Sequence, residues 1–192
     1  MRGGFTYKEV LLALLVVLLA GGTVFLIGRS MERQNRVASD VDAMRSIYVS
    51  LALYESDLDG AMAPDLLAAR AWMPNDTVYQ SNQDPFAKVA GPFPIEPGLP
   101  TSQLASPLRI SYSFLYAFAS AGKAKVKPWP ELRFDPLVGF LANEWQGQVE
   151  PSDNFQATVS GRLLRLNTDG ALHVLDLRSR QLGDPQVLFF SK

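Results

Sequence analysis

The chain has 192 residues, with 18 Lys and Arg against 19 Asp and Glu, so its formal net charge is −1. This balance gives no overall attraction to nucleic acid or to acidic lipid. There is no cysteine and only one histidine, which excludes disulfide closure and leaves few groups for nucleophilic or metal chemistry. The length allows one anchor helix and one globular domain of roughly 130 residues.

An uncharged apolar run extends from Val10 to Ile27, directly after Glu9. As a helix with a rise of about 1.5 Å per residue, this run spans roughly 27 Å, close to the ~30 Å hydrocarbon thickness of a bilayer. It is therefore long enough to cross a membrane. An ionised carboxylate at the head of such a run is costly unless an opposite charge pairs with it. Glu9 therefore requires a partner.

The residues around Glu9 carry a motif. Gly4-Phe5-Thr6-Tyr7-Lys8-Glu9 resembles the Gly-Phe-Thr-x-x-Glu processing motif of type IV pilins and type II secretion pseudopilins. The resemblance implies that a prepilin peptidase/methyltransferase cleaves after Gly4 and methylates the new amine of Phe5. It also implies that Glu9 is the carboxylate needed for assembly with homologous pilin or pseudopilin subunits.

Two positions depart from the family pattern. Lys8 stands where the family usually has an apolar residue, and Gly21-Gly22 lies in the region where a proline is common. Each glycine costs a helix interior about 1 kcal/mol relative to alanine. We expect the pair to be either a weak point of the helix or a site of close helix packing.

The resemblance implies a four-part organisation. Residues 1–4 are a leader peptide, 5–28 a transmembrane and filament-core helix, 29–60 an amphipathic helix, and 61–192 the loop and antiparallel sheet of a globular domain. The expected fold class is α+β and pilin-like, with the long N-terminal helix packed on the sheet. No enzymatic activity, catalytic residue, metal site or cofactor is expected.

The same resemblance implies a location and a set of partners. The chain is expected to be a single-pass protein of the inner membrane with a cytoplasmic N-terminus, in contact with membrane lipid and an inner-membrane assembly platform. It would then enter a periplasmic or cell-surface filament, either a type IV pilus-like filament or a type II secretion pseudopilus.

An ordinary secretory signal peptide is the alternative interpretation of the N-terminus. Met1-Arg2 would be its basic part, and Ala20-Gly21-Gly22 would be a small-x-small cleavage site. Cleavage would release a periplasmic or extracellular binding domain. The position of Glu9 within the leader and the length of the apolar run do not favour this alternative.

Apolar residues after the membrane segment follow a helical period. Val37, Val41, Met44, Tyr48 and Leu51 recur at spacings of four, three, four and three, which predicts one apolar helix face covering a sheet. The charged residues, Asp40 among them, are assigned mostly to the other faces. Gly60 is expected to end the helix as a left-handed cap residue.

The remaining chain is predicted to form antiparallel strands, without helices. Between Arg109 and Phe118, large apolar or aromatic residues occupy every second position, so this segment is the best strand candidate. Thr168-Asp169-Gly170 is expected to form a tight hairpin turn. The six prolines between residues 85 and 107 predict a surface loop. Weaker strand candidates are Val138–Leu141, Phe155–Val159, Leu163–Asn167, Ala171–Leu177 and Val187–Phe190.

Signals for bound ligands are weak. Asp57-Leu58-Asp59-Gly60 contains part of a calcium-loop pattern without the remaining ligands, and Asp84-Pro85-Phe86 is similar to an Asp-Pro-aromatic stretch of major pseudopilins. Lys123, Lys125 and Lys127 precede Trp129, a combination that can hold single-stranded nucleic acid, but a solvated turn is the preferred interpretation and nucleic acid is not an expected partner. His173 is expected to be structural or solvent-facing.

Overall fold

The computed structural model describes residues 7–86, 99, 108–151 and 157–190. The chain divides into two units, Met1–Ala38 and Ser39–Lys192, and it belongs to the α+β class. Gly4, Phe5 and most of the predicted proline-rich loop lie outside the described residues.

The longest element is helix α1, Tyr7–Asp57, with 51 residues. Its side chains between residues 14 and 36 are exposed, and Asp40 is the first buried residue after them. The helix ends with the predicted cap: Gly60 has φ 86, and its N–H donates to the carbonyl of Glu55 at 2.9 Å. Glycine suits this position because a left-handed residue without Cβ carries no steric penalty.

The predicted apolar face of α1 is confirmed. Met44, Ile47 and Leu51 are fully buried, and the half-buried Tyr48 ring meets Phe140 edge-to-face at 5.6 Å. The expectation that Asp40 lies away from the apolar face was wrong, because Asp40 is only 1% exposed. It lies four residues before Met44 and therefore on the same face of the helix.

A five-stranded antiparallel sheet forms the rest of the core. β4 is its central strand: β2 and β3 pair with successive parts of one side, β5 pairs with the other side, and β1 pairs with β2. The strands are β1 (Ser113–Phe114), β2 (Gly139–Asn143), β3 (Gln148–Pro151), β4 (Ala157–Asn167) and β5 (Leu172–Gln181).

The predicted hairpin turn joins β4 to β5. Gly170 has φ 83, and its N–H donates to the carbonyl of Asn167 at 3.0 Å, while the N–H of Asn167 donates to Ala171 at 2.9 Å. The positive φ explains why the Asp-Gly pair forms this turn.

The prediction of a strand over Arg109–Phe118 was wrong except at β1. From Leu115 to Ser120 the chain forms helix α2. Residues 109–115 are all buried, so both sides of the alternating segment face protein, and a period of two does not identify a half-exposed strand.

The expectation of no further helices was also wrong. Helix α3 covers Trp129–Leu132, and the predicted edge strand at Val187–Phe190 lies in helix α4, Pro185–Phe190. Helix α4 packs against β2 and α2, with the rings of Phe118 and Phe189 at 5.4 Å. Pro185 suits the first helical position because its missing N–H would have no partner there.

A strained turn connects α3 to β2. Phe134 has φ 72, an uncommon value for a bulky residue, and is 67% exposed. Thr168 fixes the turn at two points: its hydroxyl donates to the carbonyl of Asp135 at 2.7 Å, and its N–H donates to the carbonyl of Val138 at 3.0 Å. The turn is thus attached to the β4–β5 hairpin end of the sheet.

Met44→Asp tests the packing of α1. We expect it to reduce the free energy of unfolding by more than about 3 kcal/mol, because it buries an unpaired charge. Val49→Asp on the same helix is the control, since Val49 is 57% exposed, and its effect should stay within about 0.5 kcal/mol. The measurement is urea unfolding followed by tryptophan fluorescence, to which the buried Trp129 and Trp145 contribute. Equal effects of both substitutions would contradict the packing.

Candidate functional site

The apolar surface of α1 is the first candidate site. An 18-residue window of this helix has a mean hydropathy of 2.0, and no residue in the window is buried, so the helix is long and apolar enough to cross a membrane. Membrane anchors and secretory signal segments share these properties. Twelve large side chains are between 51% and 69% exposed: Leu11, Leu12, Leu14, Leu15, Val16, Val17, Leu18, Leu19, Val24, Phe25, Leu26 and Ile27.

An apolar surface of this extent is unfavourable in contact with water. Soluble monomers rarely expose contiguous apolar patches larger than a few hundred Å², so lipid or other protein must remove this surface from water. The single hydroxyl within the run is satisfied locally, because Thr23 Oγ1 donates to the carbonyl of Ala20 at 2.8 Å. At the end of the run, the guanidinium of Arg29 lies 4.5 Å from the ring centroid of Phe25.

The sequence-predicted assembly residue lies in this helix. Glu9 and Lys8 are part of the first turn of α1, and the helix continues through Gly21 and Gly22 without a break. Apart from the adjacent residues and the backbone of the helix itself, no heavy atom of the described residues lies within 4 Å of a Cβ built at either glycine, so both positions are open to a neighbouring helix.

A buried acidic network is the second candidate site, and the sequence analysis missed it. Asp40 Oδ2 accepts hydrogen bonds from Ser81 Oγ at 2.8 Å and from Asn143 Nδ2 at 3.0 Å, and also from Gln146 Nε2. Asp40 Oδ1 accepts from the hydroxyl of Tyr112 at 3.3 Å. All four donors are neutral, and no ion pair reaches Asp40 within the described part of the chain.

The environment of Asp40 disfavours its charge. Burial raises the pKa of the Asp40 carboxyl above its ordinary value, while the four hydrogen bonds oppose this shift. Without a cation nearby, desolvation is the larger effect. The site therefore holds a carboxyl group that binds its proton more tightly in the folded state than in the unfolded chain.

Local structure brings the four donors together. Ser81 follows a 3-10 turn, Asp76–Tyr79, which Asn75 caps by accepting from the N–H of Thr77. Tyr112 immediately precedes β1, and Asn143 ends β2. The β2–β3 turn carries Gln146, and Gln83 Nε2 orients it by donating to its Oε1.

A second buried carboxylate has a cation. Arg109 binds Asp84 with two hydrogen bonds, Nε to Oδ2 at 2.8 Å and Nη2 to Oδ1 at 3.2 Å. Ser111 Oγ donates to Oδ2 at 2.8 Å, and the N–H of Phe86 donates to Oδ1 at 2.8 Å. Asp84 of the Asp84-Pro85-Phe86 stretch thus forms an internal ion pair, and both of its carboxylate oxygens accept hydrogen bonds from the chain itself.

A third buried carboxylate lies near a surface pocket. Glu144 accepts from Arg180 Nη2 at 3.3 Å and from the N–H of Gly183 at 2.9 Å. Burial raises the pKa of Glu144 to about 7, against the attraction of Arg180. Gly183 also lines a pocket of about 280 Å³, together with Lys123, Gln181, Leu182, Asp184 and Pro185.

The weaker ligand signals do not form a site. Trp129 is 5% exposed, and its ring packs against Phe140 at 4.9 Å, so it offers no free face for a base. Lys123, Lys125 and Lys127 are exposed, as is His173 on β5. No cluster of three or more His, Asp or Glu side chains that could hold a metal occurs within the described ranges.

No known protein family, curated protein or solved structure matches this chain.

Two Asp40 variants separate the charge from the hydrogen bonds. Asp40→Ala should lower the free energy of unfolding by about 2–5 kcal/mol, since it leaves buried donors without an acceptor. Asp40→Asn keeps an acceptor and removes the charge, so it should lower the free energy of unfolding by less than Asp40→Ala does.

The pH dependence of these variants has a definite sign. The raised pKa means that the folded state binds the Asp40 proton more tightly, so this carboxyl lowers stability as pH rises from its unfolded pKa of about 3.9 through its folded pKa. Relative to the parent, Asp40→Asn should therefore become more stable with rising pH over that window. Urea unfolding at a series of pH values measures this difference, and a difference independent of pH would contradict the raised pKa.

Proposed function

We propose that the chain is a structural subunit of a type IV pilus-like filament or a type II secretion pseudopilus, processed after Gly4 and assembled through its N-terminal helix. The observation that carries this proposal is the uncovered apolar surface of α1, directly preceded by a prepilin-type motif. Lipid covers this surface before assembly, and the helices of other subunits cover it in the filament.

Charge pairing explains the part played by Glu9. In a filament core with little water, an isolated carboxylate is unfavourable, whereas one paired with the methylated ammonium of a neighbouring Phe5 is much less so. That ammonium exists only after cleavage. A docking position that leaves either charge unpaired is energetically unfavourable. The pairing therefore defines the axial spacing between neighbouring subunits.

The proposal places the chain in the inner membrane with a cytoplasmic N-terminus, and later in a periplasmic or cell-surface filament. Its partners are the prepilin peptidase/methyltransferase, homologous subunits and the inner-membrane assembly platform. A signal-peptide-released binding domain is the second candidate, favoured only by the independent core of the second unit. Its mature chain would begin near Thr23.

Gly4→Val tests processing. The chain must pass close to the peptidase active site, where a side chain at position 4 collides, so the variant should keep its four-residue leader. The mass of the protein extracted from membranes measures the result, with the parent chain beginning at methylated Phe5 as the reference. A Gly4→Val protein that still begins at Phe5 would disprove this cleavage site.

Glu9→Ala tests assembly. The variant should be cleaved and inserted normally but enter filaments several-fold less, because the Phe5 ammonium loses its partner. Lys8→Leu is the matched control: it removes a neighbouring charge and should assemble at least as well as the parent. The amount of each variant in sheared fibres, relative to its membrane pool, is the measurement. Loss of assembly in Lys8→Leu rather than Glu9→Ala would transfer the role to the lysine.

A further inference from the structure

The 3-10 turn that precedes Ser81 carries a three-residue motif. Asn75-Asp76-Thr77 has the form Asn-x-Ser/Thr with a middle residue other than proline. No other asparagine of the chain has a serine or threonine two residues after it. This motif marks the attachment of N-linked glycans, and it acts on surface segments of exported proteins. Because so short a motif also arises by chance, its structural setting decides its value.

The motif lies at the surface on a turn that is attached to the core. Residues 74–77 are all exposed, whereas the next two residues, Val78 and Tyr79, are buried. The hydroxyl of Tyr79 donates to the carbonyl of Leu66 at 3.0 Å, and the carbonyl of Tyr79 accepts from the N–H of Ser111 at 2.8 Å. A bulky group attached to Asn75 would therefore meet solvent and leave the core contacts of the turn in place.

Thr77 holds the side-chain amide of Asn75 in one orientation. Asn75 Oδ1 accepts a hydrogen bond from the N–H of Thr77 at 3.0 Å and a second one from the hydroxyl of Thr77. Both bonds are made to the amide oxygen. Within the part of the chain that the structure describes, no hydrogen bond engages the amide nitrogen, Nδ2. The nitrogen is therefore accessible while the oxygen is fixed.

These two hydrogen bonds favour reaction at the nitrogen. The lone pair of Nδ2 is delocalised into the C=O group, as in a peptide bond, so an ordinary amide nitrogen is a poor nucleophile. When Nδ2 loses a proton, negative charge develops on Oδ1. Donors that already point at this oxygen stabilise that charge. The hydroxyl of Thr77 thus has a chemical role in addition to its part in the turn.

The middle residue of the motif is an ion-pair partner. Arg70 binds the carboxylate of Asp76 with two hydrogen bonds, Nε to Oδ1 at 2.9 Å and Nη2 to Oδ2 at 2.6 Å. An unpaired carboxylate next to Asn75 would oppose negative charge on Oδ1. The guanidinium of Arg70 reduces this repulsion, so Asp76 is compatible with the reaction.

We propose that Asn75 is the attachment site of an N-linked glycan, transferred from an oligosaccharide carried on a lipid diphosphate. Nδ2 attacks C1 of the first sugar and forms the N–C1 bond. The bond between C1 and the diphosphate oxygen breaks, and its electron pair leaves with the lipid diphosphate. One proton passes from Nδ2 to a base of the transferase. The second unit must be exported, which both candidate functions share, so the inference goes beyond the choice between them.

Mass spectrometry of the full-length chain, purified from the cells that produce it, tests this site. The proteolytic peptide that contains Asn75 should carry the mass of one glycan. Asn82→Gln is the matched control, because Asn82 is also exposed but has Asp84 two residues after it, and this variant should keep the glycan. An unmodified Asn75 in the parent chain would overturn the proposal.

Three substitutions separate the attachment chemistry from the structure of the turn. Asn75→Asp keeps an oxygen that accepts from the N–H of Thr77, so the chain should fold with an unchanged thermal midpoint but carry no glycan. Thr77→Val should lower the glycosylated fraction at least about tenfold, because it removes a hydrogen bond to a developing charge. Thr77→Ser restores the hydroxyl and should keep the glycan. Equal glycosylation of Thr77→Val and the parent would contradict the role of this hydroxyl.

The N-terminus of the same samples tests the proposed function separately. Chains that begin at methylated Phe5 and carry no glycan would overturn the attachment site and leave the filament proposal intact. Glycosylated chains that begin near Thr23 would support the attachment site and overturn the filament proposal.

Discussion

The burial of Asp40, with no cation paired to it among the described residues, is the interaction on which the second unit depends. Its carboxyl group needs hydrogen bonds to replace lost water, and the donors come from four separate segments, at Ser81, Tyr112, Asn143 and Gln146. None of these segments can shift without leaving a buried polar group unpaired. Apolar residues such as Met44 would tolerate a small slide of the helix, whereas the network fixes one register of α1 against the sheet.

Sequence reasoning succeeded where structure depends on local spacing. The apolar face of α1, its glycine cap and the Asp-Gly hairpin follow from residues within a few positions of one another. The burial of Asp40 did not, because a helix charge is usually exposed and its four donors lie 41, 72, 103 and 106 residues away. The available signal was that Asp40 lies four residues before Met44 and therefore on the same face of the helix. Around Phe114, aromatic alternation was misleading because both sides of the segment are buried.

The candidate sites also differ in whether the sequence alone could identify them. Gly4, Phe5 and Glu9 belong to a short linear motif, so the sequence alone can nominate them. The hydrogen-bond network of Asp40 combines residues from α1, the segment after the 3-10 turn, β2 and the β2–β3 turn, and only the fold brings them together.

The position of Asp40 along α1 has a mechanical consequence. A force applied to the N-terminal part of the helix passes along continuous backbone and first meets the buried interior at Asp40. The load there falls on several hydrogen bonds to one carboxyl group, which share the tension and resist rupture together.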